Sequence, residues 1–170
     1  MPVNNLPALK DDIQSLIDVN DGDWWDGTKV TKHLDEMSDS HRERIENLAD
    51  SNQLTSGTMY RRVRQGKSRT EIRTDGLAGC LRTPRGGSSK QMVFVAGKEE
   101  IRMRWMLPKE YAALQGVANF PINVGTTQAL FGFGDAVCVP VIEWIATNYL
   151  EKILSNKQTL KKRRGELLEA

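Results

Sequence analysis

The sequence predicts an α+β fold: helices at the N-terminus, a small irregular β-rich region in the middle, and an apolar helix near the C-terminus. Three observations carry this. Apolar residues recur at helical spacing within residues 6–49. From 60 to 97 the chain changes to short segments broken by glycine. Residues 140–155 then carry a broad apolar stripe. Periods near 3.6 and 2 distinguish helices from half-buried strands.

In chain order, "LPALKDDIQSLIDV" (6–19) sets Leu9, Ile13, Leu16 and Ile17 on one helical face. "NDGDWWDG" reads as a turn, and a second helical stretch with Leu34, Met37, Ile45 and Leu48 runs to about residue 49. "SNQLTSGTM" marks a loop. "MYRRVR", "TEIRTDG", "CLRTPRGG" and "QMVFVAG" follow as strand segments carrying long basic loops. "PKEYAALQ" (108–115) is a compact helix, with Pro108 in its first turn, Glu110 in the positive N-terminal end and Gly116 as its stop. "NFPINVGTT" is a loop. "FGFGDAV" reads as a glycine turn feeding the last helix, whose stripe is Val141, Ile142, Ile145, Tyr149, Ile153 and Leu154. The resulting segments are 1–54 (helical), 55–122 (β-rich with the 108–115 helix), 123–156 (turn and C-terminal helix) and 157–170 (basic tail).

A length of 170 residues with 39% hydrophobic and 27% charged content suits a globular chain able to bury a core. No run of 18 apolar residues and no signal-peptide pattern stand out, so no membrane partner is expected. Cys80 and Cys138 are isolated, which fits a reducing compartment, the cytoplasm by default, and offers no zinc framework or other metal site. Charge is strongly polarised. Residues 1–50 hold twelve Asp/Glu against five Lys/Arg, whereas 60–90 hold nine Lys/Arg against Glu71 and Asp75. Such a basic block fits a phosphate-contacting surface, or a solvated loop whose arginines pair with the acidic N-terminal third.

Several motifs fail on inspection. Gly132-x-Gly134 opens like a dinucleotide fingerprint, but its third glycine falls on Val137. An EF-hand loop starting at Asp18 puts Asp23 at the glycine position and Lys29 at the glutamate position. "RRVRQGKS" lacks the leading glycine of a phosphate loop, which falls on Arg61. "GGSSK" has no GxSxG frame, and His33 and His41 share an acidic helical stretch as surface or packing residues. None of these makes a self-sufficient active site.

Three stretches taken in order resemble one family. "RWMLPKEYAALQGVANF" (104–120) resembles the ninth motif of the DNA (cytosine-5) methyltransferases, with Arg104, Pro108, Glu110, Ala112, Leu114, Gln115 and Gly116 in register. "TTQALFGFGDAVCVPVIEWI" (126–145) resembles the tenth motif. "DGLAGCLRTPRGGSSKQ" (75–91) is similar to the target-recognition segment, where a T-L-x-T-like strand leads into a glycine-rich DNA-facing loop. The resemblance covers about residues 55–150, and residues 1–50 carry no motif.

The resemblance implies the C-terminal part of a bacterial or phage-type enzyme of DNA methylation, such as a restriction-modification methyltransferase. Its partners would be double-stranded DNA and a catalytic half carrying the early motifs; its cofactor would be S-adenosylmethionine. Gly134, Asp135, Ala136 and Val137 would close one side of the cofactor pocket, with Asp135 standing where the family has Asn. Arg104, Glu110, Gln115 and Gly116 would be structural. Leu107 replaces the usual Thr or Ser cap, so that cap must come from elsewhere, and Lys109 replaces the usual Arg.

DNA would meet two basic loops. One offers Arg61, Arg62, Arg64, Lys67 and Arg69; the other offers Arg82, Thr83, Arg85, Gly86, Gly87, Ser88, Ser89 and Lys90. Most would contact phosphates, and Arg85 is the candidate base reader. The family's Pro-Cys nucleophile, Glu-Asn-Val acid and Gln-x-Arg-x-Arg segment have no counterpart in the sequence. No catalytic residue is assigned, and Cys80 and Cys138 are expected to be small packing residues. Met1 fits a separate small subunit, and equally a fragment given its own start. The competing expectation is a stand-alone DNA-binding module.

Overall fold

The structure, a computed structural model, describes residues 12–85 and 90–154; Leu9, the Arg64 side chain, Gly86, Gly87, Ser88, Ser89 and the basic tail lie outside the described residues. Strands β1 (Thr55–Arg64), β2 (Lys67–Arg73), β3 (Met92–Gly97) and β4 (Glu100–Trp105) form one antiparallel sheet in the order β2-β1-β3-β4. The β1–β2 hairpin turns at Gln65 and Gly66, the β3–β4 hairpin at Lys98 and Glu99, all four with positive φ. That is the twist-matched two-residue hairpin geometry. The second turn carries neither Asn nor Gly at its two central positions, so β4 went unread in the sequence. It is held from outside, with the Lys98 and Glu99 amides donating to the carbonyls of Ser51 and Ala49 at 2.6 and 2.8 Å.

Alternation along the strands gives the sheet two buried faces. On one, Met59, Ile72, Met92, Phe94, Ala96 and Met103 pack against Val30, Met37 and Ile45. Those three belong to α2 (Gly27–Asp35), α3 (Asp39–Ala49) and the link between them. On the other, Val93 and Met106 meet Ile13, Tyr111, Ala112, Ala129, Leu130 and Phe133. These come from α1 (Ile13–Leu16), α4 (Pro108–Leu114) and α5 (Thr126–Asp135). The sheet is therefore sandwiched between two helical layers, an α+β arrangement as the sequence predicts.

Four expectations are corrected. The helical stretch ending near residue 49 is two helices, because Ser38 takes an extended conformation (φ −74, ψ 157) at the N-cap of α3 and Met37 turns into the core. The glycine turn at 131–134 is helical: Gly132 and Gly134 lie inside α5. Burial of Ala129, Leu130 and Phe133 on one side of α5 outweighs the ~1 kcal/mol that each helical glycine loses relative to alanine. Residues 77–84 form no regular strand, and Cys80 is exposed rather than packed.

The C-terminal helix runs from Val139 to residue 154, comprising α6 (Val139–Ile145) and a π-helical turn at Ala146–Leu150. By length and composition alone, Thr126–Leu154 is long and apolar enough to cross a bilayer, although it holds no unbroken run of 18 apolar residues. Its backbone is interrupted, however, by extended conformations at Ala136 and Cys138. A break exposing peptide groups is unfavourable in hydrocarbon, and α5 already buries its apolar side in the core.

Candidate nucleic-acid interface

The ninth-motif stretch builds the most buried polar cluster among the described residues. Arg104 and Glu110 each have side chains 1% exposed and form a two-pronged ion pair at 2.7 and 2.9 Å. The same guanidinium donates to the carbonyls of Trp105 and Asp18, and it lies 4.7 Å from the Trp24 ring centroid. Glu110 also accepts from the Leu107 amide at 2.7 Å. The helix start that lacks a Thr or Ser cap is thus capped by the helix's own first-turn carboxylate.

The two C-terminal motifs are joined through the end of α4. Gln115 donates from Nε2 to the Phe133 carbonyl at 2.8 Å, and its own carbonyl accepts from the Val139 amide at 3.0 Å. Gly116 has φ +78, and a Cβ there would collide with the Pro140 ring. Only glycine meets both demands. The last turn of α5 and the first turn of α6 are therefore fixed to the ninth-motif helix.

Gly134 faces the chain's own residues 82–83. A Cβ on it would run into the backbone of Arg82 and Thr83, so the glycine lets residues 82–83 cross close over α5. Upstream, side chains hold that segment: Thr58 Oγ1 donates to the Leu77 carbonyl at 3.0 Å, and Gln91 Nε2 to the Cys80 carbonyl at 3.3 Å. The Arg85 amide donates to the Thr83 carbonyl at 2.8 Å, making a tight turn around Pro84. Arg82 and Arg85 are exposed on it, and Thr83 is half-buried.

The first basic stretch is the β1–β2 hairpin rather than a loop. Its cations divide between two faces. Arg62 lies directly opposite Arg69 in register, and Arg61 opposite Thr70. Arg62 stacks on Tyr60 at 4.8 Å and lies 3.6 Å from Glu71, while Lys67 and Arg69 are exposed. Arg64 pairs with Lys67 in the backbone register. On the other face Arg61 neighbours buried His33, whose Nδ1 lies 3.0 Å from the Thr70 hydroxyl and whose ring stacks on Trp25 at 4.8 Å.

Burial pushes the His33 pKa below its ordinary 6.5; Glu36 opposes this, and the charges of Arg61, Lys29 and Lys32 reinforce it. The unfolded chain consequently takes up this proton first as pH falls. Stability contributed by neutral His33 is complete above 6.5 and is lost as pH drops through 6.5 towards the lowered value. Unfolding midpoints measured from about pH 7.5 to about pH 5 should fall with acid, and His33→Gln should flatten that part of the profile.

A family model described as C-5 cytosine-specific DNA methylase matches residues 3–151. The chain belongs to the C-5 cytosine-specific DNA methylase family. Comparison with curated proteins and with solved structures returned no match.

Within this methylase chain the match reaches well upstream of the stretch that carries the sequence resemblance, and the structure shows what ties that N-terminal part in. Lys109, in place of the family's arginine, binds Asp18 at 3.1 Å and Asp21 at 2.6 Å. The Asn20 amide and then Lys109 hold the Asp18 carboxyl below the usual carboxylate range, and Lys109 and then the Gly22 amide do the same for Asp21. Gly22, with φ +97, lets the same loop close over the Arg104 side chain. These partners are about ninety residues apart, and no local sequence signal could have joined them.

The methylase family generally uses S-adenosylmethionine. Asp135, Ala136 and Val137 are exposed, and Gly134 is turned towards Arg82 and Thr83. Among the described residues no cluster of His, Cys, Asp and Glu could hold a metal ion.

Proposed function

We propose that this chain is the DNA-recognition and cofactor-closing part of a DNA (cytosine-5) methyltransferase, completed by a catalytic half that is either a separate subunit or another part of a longer chain. One observation carries the reading. The C-terminal helix is fixed at its start by Gln115 and Gly116, yet leaves Val139, Val141, Ile142, Ile145, Leu150, Ile153 and Leu154 exposed. An exposed apolar face of this extent on a rigidly seated helix suits a protein partner. The early motifs, with the nucleophile and acid needed for attack at cytosine C6 and proton handling, would come from that partner.

In this role S-adenosylmethionine supplies the methyl group, and Asp135, Ala136 and Val137 line one side of its site. Arg61, Arg62, Arg64, Lys67, Arg69, Arg82 and Lys90 contact DNA phosphates, and Arg85 reads a base. The setting is the cytoplasm, on DNA.

The test is to pass extract of the source cell over the immobilised chain and assay the eluate for methyl transfer to DNA. Activity in the eluate and none from the chain alone is expected; activity from the chain alone would overturn the division of labour. Arg85→Ala in the reconstituted enzyme should weaken binding by about 1–3 kcal/mol at one base position. Uniform weakening across all DNA sequences would make Arg85 a phosphate contact instead.

The reading as a stand-alone DNA-binding module has its own support, since both faces of the sheet are closed by this chain's helices. Specific DNA binding by a monomer that recruits no methyl-transfer activity would favour it.

A further inference from the structure

Helix α2 lies in the N-terminal segment to which the sequence assigns no role. It carries Lys29, whose ammonium group lies 4.0 Å from the Trp25 ring centroid and 5.5 Å from that of Trp105. From the other side of the chain, Lys90 brings its ammonium to 4.7 Å from the same Trp105 ring. Trp25 and Trp105 meet edge to face at 5.2 Å, so the two lysines share one aromatic platform.

Neither lysine has a carboxylate partner among the described residues. The ion pairs belong instead to Arg42, Arg62, Arg73, Arg102, Arg104 and Lys109, with His33 near Glu36. Asp26, one turn before Lys29, uses its carboxylate to cap the helix at the Lys29 amide, 2.9 Å away. Burial, and then the charge of Lys29, push the Lys90 ammonium below the ordinary lysine range. Two like charges drawn together in a half-buried place repel each other, and an anion between them would relieve that repulsion.

The location extends the basic surface. Arg61 on the hairpin, Lys32 and Lys29 on α2 all act electrostatically on His33, which stacks on Trp25. Lys90 then ends the recognition segment just before β3. The positive groups thus run from the hairpin across α2 to that segment.

We propose that Lys29 and Lys90, gathered on the Trp25–Trp105 platform, hold a backbone phosphate of duplex DNA, making α2 part of the DNA-binding surface. This rests on the DNA-recognition role proposed above. The contact is to phosphate, so it positions the protein without reading sequence.

The full chain is titrated with fluorescently labelled duplex DNA at several NaCl concentrations, and thermal unfolding is followed in parallel. Lys29→Gln and Lys90→Gln should each reduce the slope of log affinity against log salt, and the double variant should reduce it by about 0.9, equally on unrelated duplexes. Lys29→Arg should keep the wild-type slope. If Lys29→Gln does not fold, Lys29→Met is read in its place, since its apolar stem preserves contact with Trp25. An unchanged slope for the Lys29 variant, with wild type binding DNA and Arg69→Gln weakening it, would overturn this inference and leave the DNA-recognition role standing. Absence of DNA binding by the wild-type chain would overturn both.

Discussion

Arg104→Met is expected to destabilise the fold by about 3–5 kcal/mol, read as a shift of the urea midpoint near neutral pH. The substitution removes both prongs of the pair with Glu110 and leaves that carboxylate buried, with only the Leu107 amide facing it. It also frees the Asp18 carbonyl and the Trp24 ring, which anchor the N-terminal loop. The double variant Arg104→Met, Glu110→Leu should lose less than the sum of its single variants, because the uncompensated charge disappears with its partner. Strict additivity would mean that the two groups do not interact as described.

Phe94→Ala should cost a comparable ~3–5 kcal/mol. Phe94 is fully buried on strand β3, which pairs with strands on both sides, so the cavity has little freedom to collapse. Its ring covers Gly57, its register partner on β1. A Cβ at Gly57 would strike both that ring and the Arg73 carbonyl oxygen. Gly57→Ala alone should therefore destabilise by about 1–3 kcal/mol through overpacking, and truncating Phe94 should remove only part of that penalty, because the carbonyl remains. Chemical denaturation of the two single variants and the double variant checks both statements.

The ninth-motif helix was legible because its signals are local: Pro108 opens it, Glu110 sits in its first turn and Gly116 stops it. Strand β3 was legible as an unbroken apolar run, and all six of its residues are buried. The exposed stripe of the C-terminal helix was legible from its spacing. By contrast, α5 reads as a turn because two glycines signal a break, and only contact with the core makes the segment helical. The basic stretch 60–69 reads as one loop, whereas the hairpin puts Arg61 and Arg62 on opposite faces.

The class of the fold, the order of the family's motifs and the uneven distribution of charge follow from the residues in chain order. Each depends on residue identity or on neighbours a few positions apart. What these residues face was set by the packed fold. It turned Gly134 towards Arg82 and Thr83, bound Lys109 to Asp18 and Asp21, and brought Lys29 to Lys90 over Trp105. Those pairings arise when burial of the sheet's two faces brings distant segments together, a long-range energy that no local pattern encodes.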